Sequence, residues 1–206
     1  MEYLSQAGQD EWVCNFFKFK KGGYYLDIGA YDGKVISNTY LLETELGWDG
    51  ICCEAHPGIY AKLITNRKCK CLNVAVSDFN GESRFDDTRD WSSSLANWGN
   101  ITVPVKTIDV ILKENNAPKI IDYLSLDVEG AEPNVLFKFP FREYEIIIAT
   151  IEHNKYLIGN YNKEVIKNIM FQNGFDMYKE DVREKVENNP LEDWFINKKY
   201  LHMLNE

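Results

Sequence analysis

The apolar runs of this chain tend to end on acids. Tyr24-Tyr25-Leu26-Asp27-Ile28 opens into Gly29-Ala30-Tyr31-Asp32-Gly33, and Gly50-Ile51-Cys52-Cys53 ends at Glu54. Lys70 to Val76 ends at Ser77-Asp78, Ile121 to Leu126 at Asp127-Val128-Glu129-Gly130, and Ile146 to Ile151 at Glu152-His153. If these runs are strands of one open α/β sheet, their carboxyl ends share the rim where such sheets bind ligands. A rim lined with acids suits cationic ligands, proton transfer or hard metal ions.

The first turn discriminates among cofactors. Nicotinamide and flavin enzymes place G-x-G-x-x-G there, so that a pyrophosphate can approach a helix N-terminus. Here the pattern is Asp27-x-Gly29-x-x-x-Gly33, with Tyr31 and Asp32 inside it. Two carboxylates beside the turn repel a diphosphate and attract a cation, such as the ammonium and sulfonium of S-adenosylmethionine (SAM). Glu54 stands 21 residues after Gly33, where a second-strand acid reaches ribose hydroxyls. Plainer readings stand beside these. The glycines can serve a tight turn alone, Glu54 can be a loop acid, and Asp127 and Glu129 can serve a helix N-terminus. His153 can be a hydrogen-bonded packing residue, and His56, beside Pro57, can lie at the cofactor edge or be structural. Trp91 with Ser92-Ser93-Ser94 either covers adenine or substrate or is an exposed loop.

The elements that must position these residues alternate. Strands are expected over 24–28, 50–54, 70–76, 121–127 and 146–152, with a final pair around Phe175–Tyr178 and Trp194–Asn197. Helices are expected over 37–46, 57–66, 107–115 and 163–173, the second opened by Pro57 and the last closed by Gly174. Alternation of near-continuous apolar strands with helices predicts a mostly parallel sheet covered on both faces. The polar, aromatic stretch 79–102 reads as a loop excursion over one sheet edge, near the acceptor. No repeat or linker divides the chain, so one domain over 1–206 is expected.

Composition narrows the function. The chain has 206 residues with a formal net charge of −9, which opposes binding to a nucleic-acid backbone. Lys20-Lys21 and Asn66-Arg67-Lys68 read as solvated loop charge. The 5 cysteines (Cys14, Cys52, Cys53, Cys69 and Cys71) are odd in number and contain no C-x-x-C pair, which fits a reducing, intracellular compartment. Cys69-Lys-Cys71 sets two thiols close together but lacks further partners for a soft metal. With no signal peptide and no apolar stretch of membrane-spanning length, a soluble cytoplasmic protein is expected.

The strings GGYYLDIGAYDG, GICCEAHP, CLNVAVSD, SLDVEGAE and IEHN, in this order, resemble the successive motifs of the FkbM-type SAM-dependent methyltransferases. SQAGQDEWV and SNTYLLETELGWDG are similar to a subgroup of that family. The resemblance runs from about Ser5 to His153, with a weaker echo at Asp193–Asn197. It implies a Rossmann-like class I methyltransferase, a seven-stranded α/β sheet, SAM as donor, and O-methylation of a sugar or other small-molecule hydroxyl, in association with glycosyltransferase modules. By position, Asp27, Gly29, Ala30 and Gly33 would cradle the methionine part, Glu54 the ribose, and Ser77-Asp78 the adenine. Ser5, Gln9 and Asp10 would belong to an N-terminal helix or lid within 1–20, and Ser37 and Asn38 would line the site. The chain reads EAHP where the family commonly has EPNP, which alters the contacts expected around Ala55 and His56.

A hydroxyl acceptor must lose its proton as the new bond forms. Asp127, Glu129, Glu152 and His153 are the candidates for that work, with His153 or Asp127 as the base. A variant has Asp127, Glu152 and His153 hold Mg²⁺ or Mn²⁺ to orient vicinal hydroxyls. The competing classes are a catalytically silent SAM- or nucleotide-binding scaffold, a methyltransferase for a non-sugar small molecule, an NAD-dependent oxidoreductase, and a nucleic-acid methylase. The missing third glycine weakens the oxidoreductase; the charge and the lack of an N/D-P-P-Y-like tetrad weaken the nucleic-acid methylase.

Overall fold

The computed structural model describes residues 2–87 and 94–204, so the expectation for Trp91, Ser92 and Ser93 lies outside the described residues. In chain order the elements begin with α1 (Gln9–Phe16), β1 (Tyr24–Ile28), α2 (Tyr40–Leu46), β2 (Asp49–Glu54), α3 (Pro57–Asn66) and β3 (Lys70–Asn73). A short excursion follows with β4 (Ala75–Val76), β5 (Gly81–Asp86), β6 (Ser94–Leu95) and β7 (Ile101–Lys106). The chain then forms α4 (Ile108–Glu114), β8 (Ile120–Leu126), α5 (Glu132–Lys138) and β9 (Glu145–Glu152). It closes with α6 (Lys155–Ile158), α7 (Tyr161–Gln172), β10 (Phe175–Arg183) and β11 (Pro190–Asn197).

The main sheet has 7 strands in the order β10-β11-β9-β8-β1-β2-β3. Every pair from β9 to β3 is parallel, whereas β11 runs antiparallel to both β9 and β10. β1 is flanked by β2 and β8, so the strand order reverses there, and the crevice beyond its carboxyl end is the expected ligand site.

Side-chain alternation along β1 divides the core. Leu26 and Ile28 pack with Ile111, Leu136 and Met170 of α4, α5 and α7; Tyr25 packs with Val13, Leu42 and Leu63 of α1, α2 and α3. Helices therefore cover both faces, as the sequence pattern predicts. On the second face α1 is held to the β10–β11 hairpin by a ring stack, with Trp12 at 4.6 Å from Trp194 and 5.2 Å from Tyr178 between ring centroids.

Two expectations are corrected. The run 70–76 is not one strand. It breaks at Val74, whose N–H donates to the Glu54 carbonyl at 3.1 Å, and the chain then leaves the main sheet for a second one. The stretch 79–102 is not a loop excursion; its described residues form β5, β6 and the start of β7, which with β4 make a 4-stranded sheet in the order β4-β7-β5-β6. The small core of that sheet is Phe85, Val103 and Val105, which alternate with exposed residues, and Pro104 sits mid-strand where it reads as a strand breaker. The third helix matches its expected span, with Pro57 in the first turn, while α2 begins at Tyr40 because Ser37 Oγ accepts the N–H groups of Thr39 and Tyr40 at 3.3 and 3.1 Å. No described helix is long and apolar enough to cross a membrane.

Leu124 lies in the middle of β8 at 1% exposure, packed into the larger core. Leu124→Ala is expected to lower the unfolding free energy by about 2–5 kcal/mol in a urea titration. A loss below about 1 kcal/mol would mean that β8 is not central to the core.

Candidate functional site

The carboxyl ends of β1 and β8 approach each other closely. A Cβ on Gly29, whose φ is +90°, would lie 1.6 Å from the Asp127 carbonyl oxygen, and the Asp127 N–H donates to the Ile28 carbonyl at 2.9 Å. Gly33, at φ +76°, has its Cβ direction filled by Leu63 and Arg67. Both glycines are therefore required by close approach as well as by left-handed backbone. The rim concentrates further left-handed backbone at Tyr31, Ile36, Glu129 and Asn154, with φ of 51°, 50°, 55° and 47°. For branched Ile36 this is a true outlier, and strain of this kind collects at ligand sites.

Arg67 overturns its expected role as solvated charge. Its side chain has no exposed surface, and its guanidinium donates to Glu43 at 2.7 Å, Tyr25 Oη at 2.7 Å, Thr39 Oγ1 at 2.9 Å and the Gly33 carbonyl at 3.2 Å. Ser37 Oγ lies at 3.4 Å and Asp27 Oδ2 at 3.9 Å. Asp27 also accepts from Thr39 Oγ1 at 2.5 Å, so its carboxylate faces this network beneath the turn. Burial pushes the Asp27 carboxyl above its usual range, and Arg67 pulls against that shift. Asp32 accepts from the N–H groups of Lys34 and Val35 and closes a local turn. The pair of acids expected to attract a cation at the first turn is thus occupied by the protein itself.

The remaining expected cofactor residues take specific places. Glu54 accepts the N–H of Tyr31 at 3.0 Å and of His56 at 2.7 Å, and burial raises it to about 7. His56 caps α3, with Nδ1 accepting from Gly58 at 3.0 Å and Ile59 at 3.3 Å, which supports its structural reading. Ala30 is buried, Ala55 packs against the small sheet, and Asn38 donates to Ser125 Oγ at 3.0 Å. Ser77 is buried beside exposed Asp78, which faces a groove of about 410 Å³ shared with Thr107, Lys113 and Phe137. That groove includes none of the other strand-end acids. At the N-terminus, Asp10 accepts the N–H of Leu4 at 2.7 Å and the Ser5 hydroxyl, while Gln9 accepts the N–H of Ala7 at 2.8 Å. Gln9 also hydrogen-bonds Glu192, which pairs across the sheet with Glu152, so this turn sits at the carboxyl rim.

The expected catalytic residues divide into two clusters. Asp127, Glu129 and Glu152 bring carboxylate oxygens within 4.8 Å of one another. Asn154, which sequence reasoning missed, donates to Glu152 at 2.6 Å and Glu129 at 3.2 Å. Glu132, also missed although it ends the LDVEGAE string, accepts the N–H groups of Val128 and Gly130 at 2.9 and 3.0 Å and fixes the turn. Burial raises all three acids: Glu129 to about 8, Asp127 above its usual range, and Glu152 well above it. A hydrogen bond between Asp127 and Glu152 lowers the first and raises the second, so of the two Glu152 holds a proton the more tightly. No described ion pair includes Asp127, Glu129, Glu152 or Glu54.

His153 does not join that trio, so the expected metal set of Asp127, Glu152 and His153 is corrected. The ring is 1% exposed; Nδ1 accepts from the Lys155 N–H at 3.3 Å, and Nε2 lies 3.5 Å from Asp193 and 3.6 Å from Asp181. Lys163 donates to Asp181 at 2.6 Å, and Lys155 pairs with the same carboxylate. This cluster is charge-compensated and ties the end of β9 to the β10–β11 hairpin.

A family model described as the methyltransferase FkbM domain matches residues 27–177. A solved FkbM methyltransferase from Methylobacillus flagellatus superposes with a TM-score of 0.55 at 11% identity, covering 85% of this chain and 43% of that one. The methyltransferase domain of METTL16 superposes with a TM-score of 0.50 at 12% identity, covering 90% and 64% respectively. At such identities the likeness shows the fold, an α/β class I methyltransferase-like sheet with helices. No curated protein matches the chain in sequence.

Two predictions follow from the charges buried here. Arg67→Met leaves Glu43 and Asp27 without their cation, and is expected to cost about 3–5 kcal/mol in a denaturant titration. A variant as stable as the parent would show that the network carries no net stability. The second concerns pH. Glu54, Glu129, Glu132 and Glu192 are raised to about 7–8, so the folded chain keeps protons there that the unfolded chain releases near 4.5. Stability of the ligand-free protein should therefore fall as pH rises from about 4.5 to about 8. Cys71, lowered to about 4, acts in the opposite direction but is a single group. A urea midpoint that rises between about pH 5.5 and pH 8 would contradict this balance.

Proposed function

The chain belongs to the FkbM methyltransferase domain family, and from that premise we propose that it transfers a methyl group from SAM to a hydroxyl of a sugar or glycan. The observation that carries this reading is the Asp127–Glu129–Glu152 trio at the reversal point of the sheet, partly desolvated and without a cationic partner among the described residues. SAM supplies an electrophilic methyl on a sulfonium, and its positive charge and ammonium suit such a rim. Glu54, at the end of the neighbouring strand, is placed to accept ribose hydroxyls beside the backbone donors it already holds. The turn of Gly29, Ala30 and Gly33 gives backbone close access to the methionine part.

Asp127 is the proposed general base. The hydrogen bond with Glu152 favours its charged form, and burial raises its affinity for the acceptor proton. Glu129, held near neutrality in its pKa and fixed by Asn154, orients the second oxygen of a vicinal diol. Aromatic rings support a carbohydrate acceptor. Asn162 donates to the Gly130 carbonyl at 2.9 Å, which brings the start of α7 to this turn, and Tyr161, beside it, is 77% exposed. Exposed rings of this kind cover the apolar faces of sugars.

The same trio favours a second reading, in which Asp127, Glu129 and Glu152 hold Mg²⁺ or Mn²⁺ that binds the acceptor oxygens.

Calorimetric titration with SAM tests the donor, and labelled methyl transfer to a panel of monosaccharides and oligosaccharides tests the acceptor. Glu54→Ala is expected to weaken SAM binding about tenfold or more, whereas Asp127→Asn keeps binding and loses at least about a hundredfold in turnover. Label recovered in alkali-stable ethers supports the hydroxyl acceptor; label found only on amines rejects it. No SAM binding by folded protein overturns the donor as well. Turnover abolished by chelator and restored by Mg²⁺ selects the metal-assisted reading, and chelator-resistant turnover selects the carboxylate base.

A further inference from the structure

Cys69-Lys-Cys71 takes no part in the site just described, yet the fold brings it a third thiol. Cys52 on β2 stands in register with Cys71 on β3, the edge strand of the main sheet. Cys69 Sγ lies 3.5 Å from Cys52 Sγ and 3.9 Å from Cys71 Sγ. Cys52 is buried, whereas Cys69 and Cys71 are half-buried and reachable from solvent. The other thiols are placed differently: Cys53 faces the opposite side of the sheet and Cys14 is buried in α1.

The trio is chemically graded. Hydrogen bonds from Cys52 and Cys69, aided by the charge of Arg67, draw the Cys71 thiol down to about 4, while burial pushes Cys52 well up. A half-exposed thiol of lowered pKa beside two further thiols is an arrangement that reacts with peroxides and then resolves within the protein.

We propose that Cys52, Cys69 and Cys71 form an oxidation site, at which a hydroperoxide converts the reduced trio to a Cys52–Cys69 disulfide. The Cys71 thiolate attacks a peroxide oxygen; the O–O bond breaks, Cys71 becomes a sulfenic acid, and the second oxygen leaves with a proton as water or an alcohol. Cys69 Sγ, 3.9 Å away, displaces the sulfenic oxygen as water and forms a Cys69–Cys71 bond. Cys52 Sγ, 3.5 Å from Cys69, then attacks that sulfur and releases Cys71 as thiolate. In sum two thiols lose two electrons and two protons, and with hydrogen peroxide both oxygens end as water. The final bond joins residues 17 apart, so it constrains a longer loop of the unfolded chain than a bond between neighbours two apart. It also ties β2 to the turn that carries Arg67, two residues before Cys69.

The test uses the full chain, reduced, desalted, exposed to a small excess of hydrogen peroxide and then alkylated. The expected product has lost two hydrogens, links the Cys52 and Cys69 peptides, leaves Cys14, Cys53 and Cys71 alkylated, and is reversed by dithiothreitol. Cys71→Ser, a half-buried and conservative change, is expected to slow its formation about tenfold or more. Cys52→Ser is expected to stop at a Cys69–Cys71 bond. A chain that keeps all its thiols, a disulfide that includes Cys14 or Cys53, or an unchanged rate in Cys71→Ser would overturn the proposal.

Discussion

Burial of the Arg67 guanidinium sets the shape of the loop that follows β1. A cation with no exposed surface is tolerated only when its donors are met, and here they are met by Glu43, Tyr25, Thr39, Ser37 and the Gly33 carbonyl. These partners come from β1, from the loop that follows it and from α2, so one side chain at the end of α3 gathers the whole first βα unit. The loop between Gly29 and Thr39 includes Tyr31 and Ile36 in left-handed conformations, a state held in place only if its surroundings over-determine it. Arg67 supplies much of that constraint, and Asp27 contributes through its hydrogen bonds with Thr39 and Ser125.

The larger group of unpaired acids lies on the other side of the reversal point. There the ends of β8 and β9 place Asp127, Glu129 and Glu152 within reach of one another, with Glu152 buried and the other two half-buried, so their mutual repulsion opposes three full negative charges. All three acids are shifted toward their protonated forms, Glu152 furthest. A cluster arranged in this way is an acceptor for a proton from outside and a seat for a positive charge. Either role lowers its energy, which is why the same geometry fits a carboxylate base and a metal-assisted site.

Much of this was legible in the sequence because it rests on local rules. Strands that end in Asp or Glu, a first turn spaced Asp27-x-Gly29-x-x-x-Gly33, and Pro57 opening a helix all follow from short-range patterning. What escaped depends on distant partners. Arg67 sits between Asn66 and Lys68 and reads as surface charge; only the return of α3 across β1 buries it. His153 adjoins Glu152 in sequence, but side chains alternate along a strand and its end, so the two point into different clusters. Val103 and Val105 do alternate with exposed neighbours, yet Pro104 and a polar partner strand mask the small sheet.

The contrast between the two acid clusters argues for where a ligand belongs. Asp181 and Asp193 are balanced in charge by Lys155 and Lys163, and the group joins β9 to the last hairpin, with His153 Nε2 and Asp193 Oδ2 left without a hydrogen-bond partner among the described residues. Asp127, Glu129 and Glu152 are answered by an amide, Asn154, and by one another's protons. A protein of net charge −9 that spends two lysines on one buried acid cluster and none on the other, among the described residues, has left the second with an unmet electrostatic demand. That demand lies at the point where the strand order reverses, and there Glu152 is buried while Asp127 and Glu129 remain half-exposed and reachable by a cation from solvent.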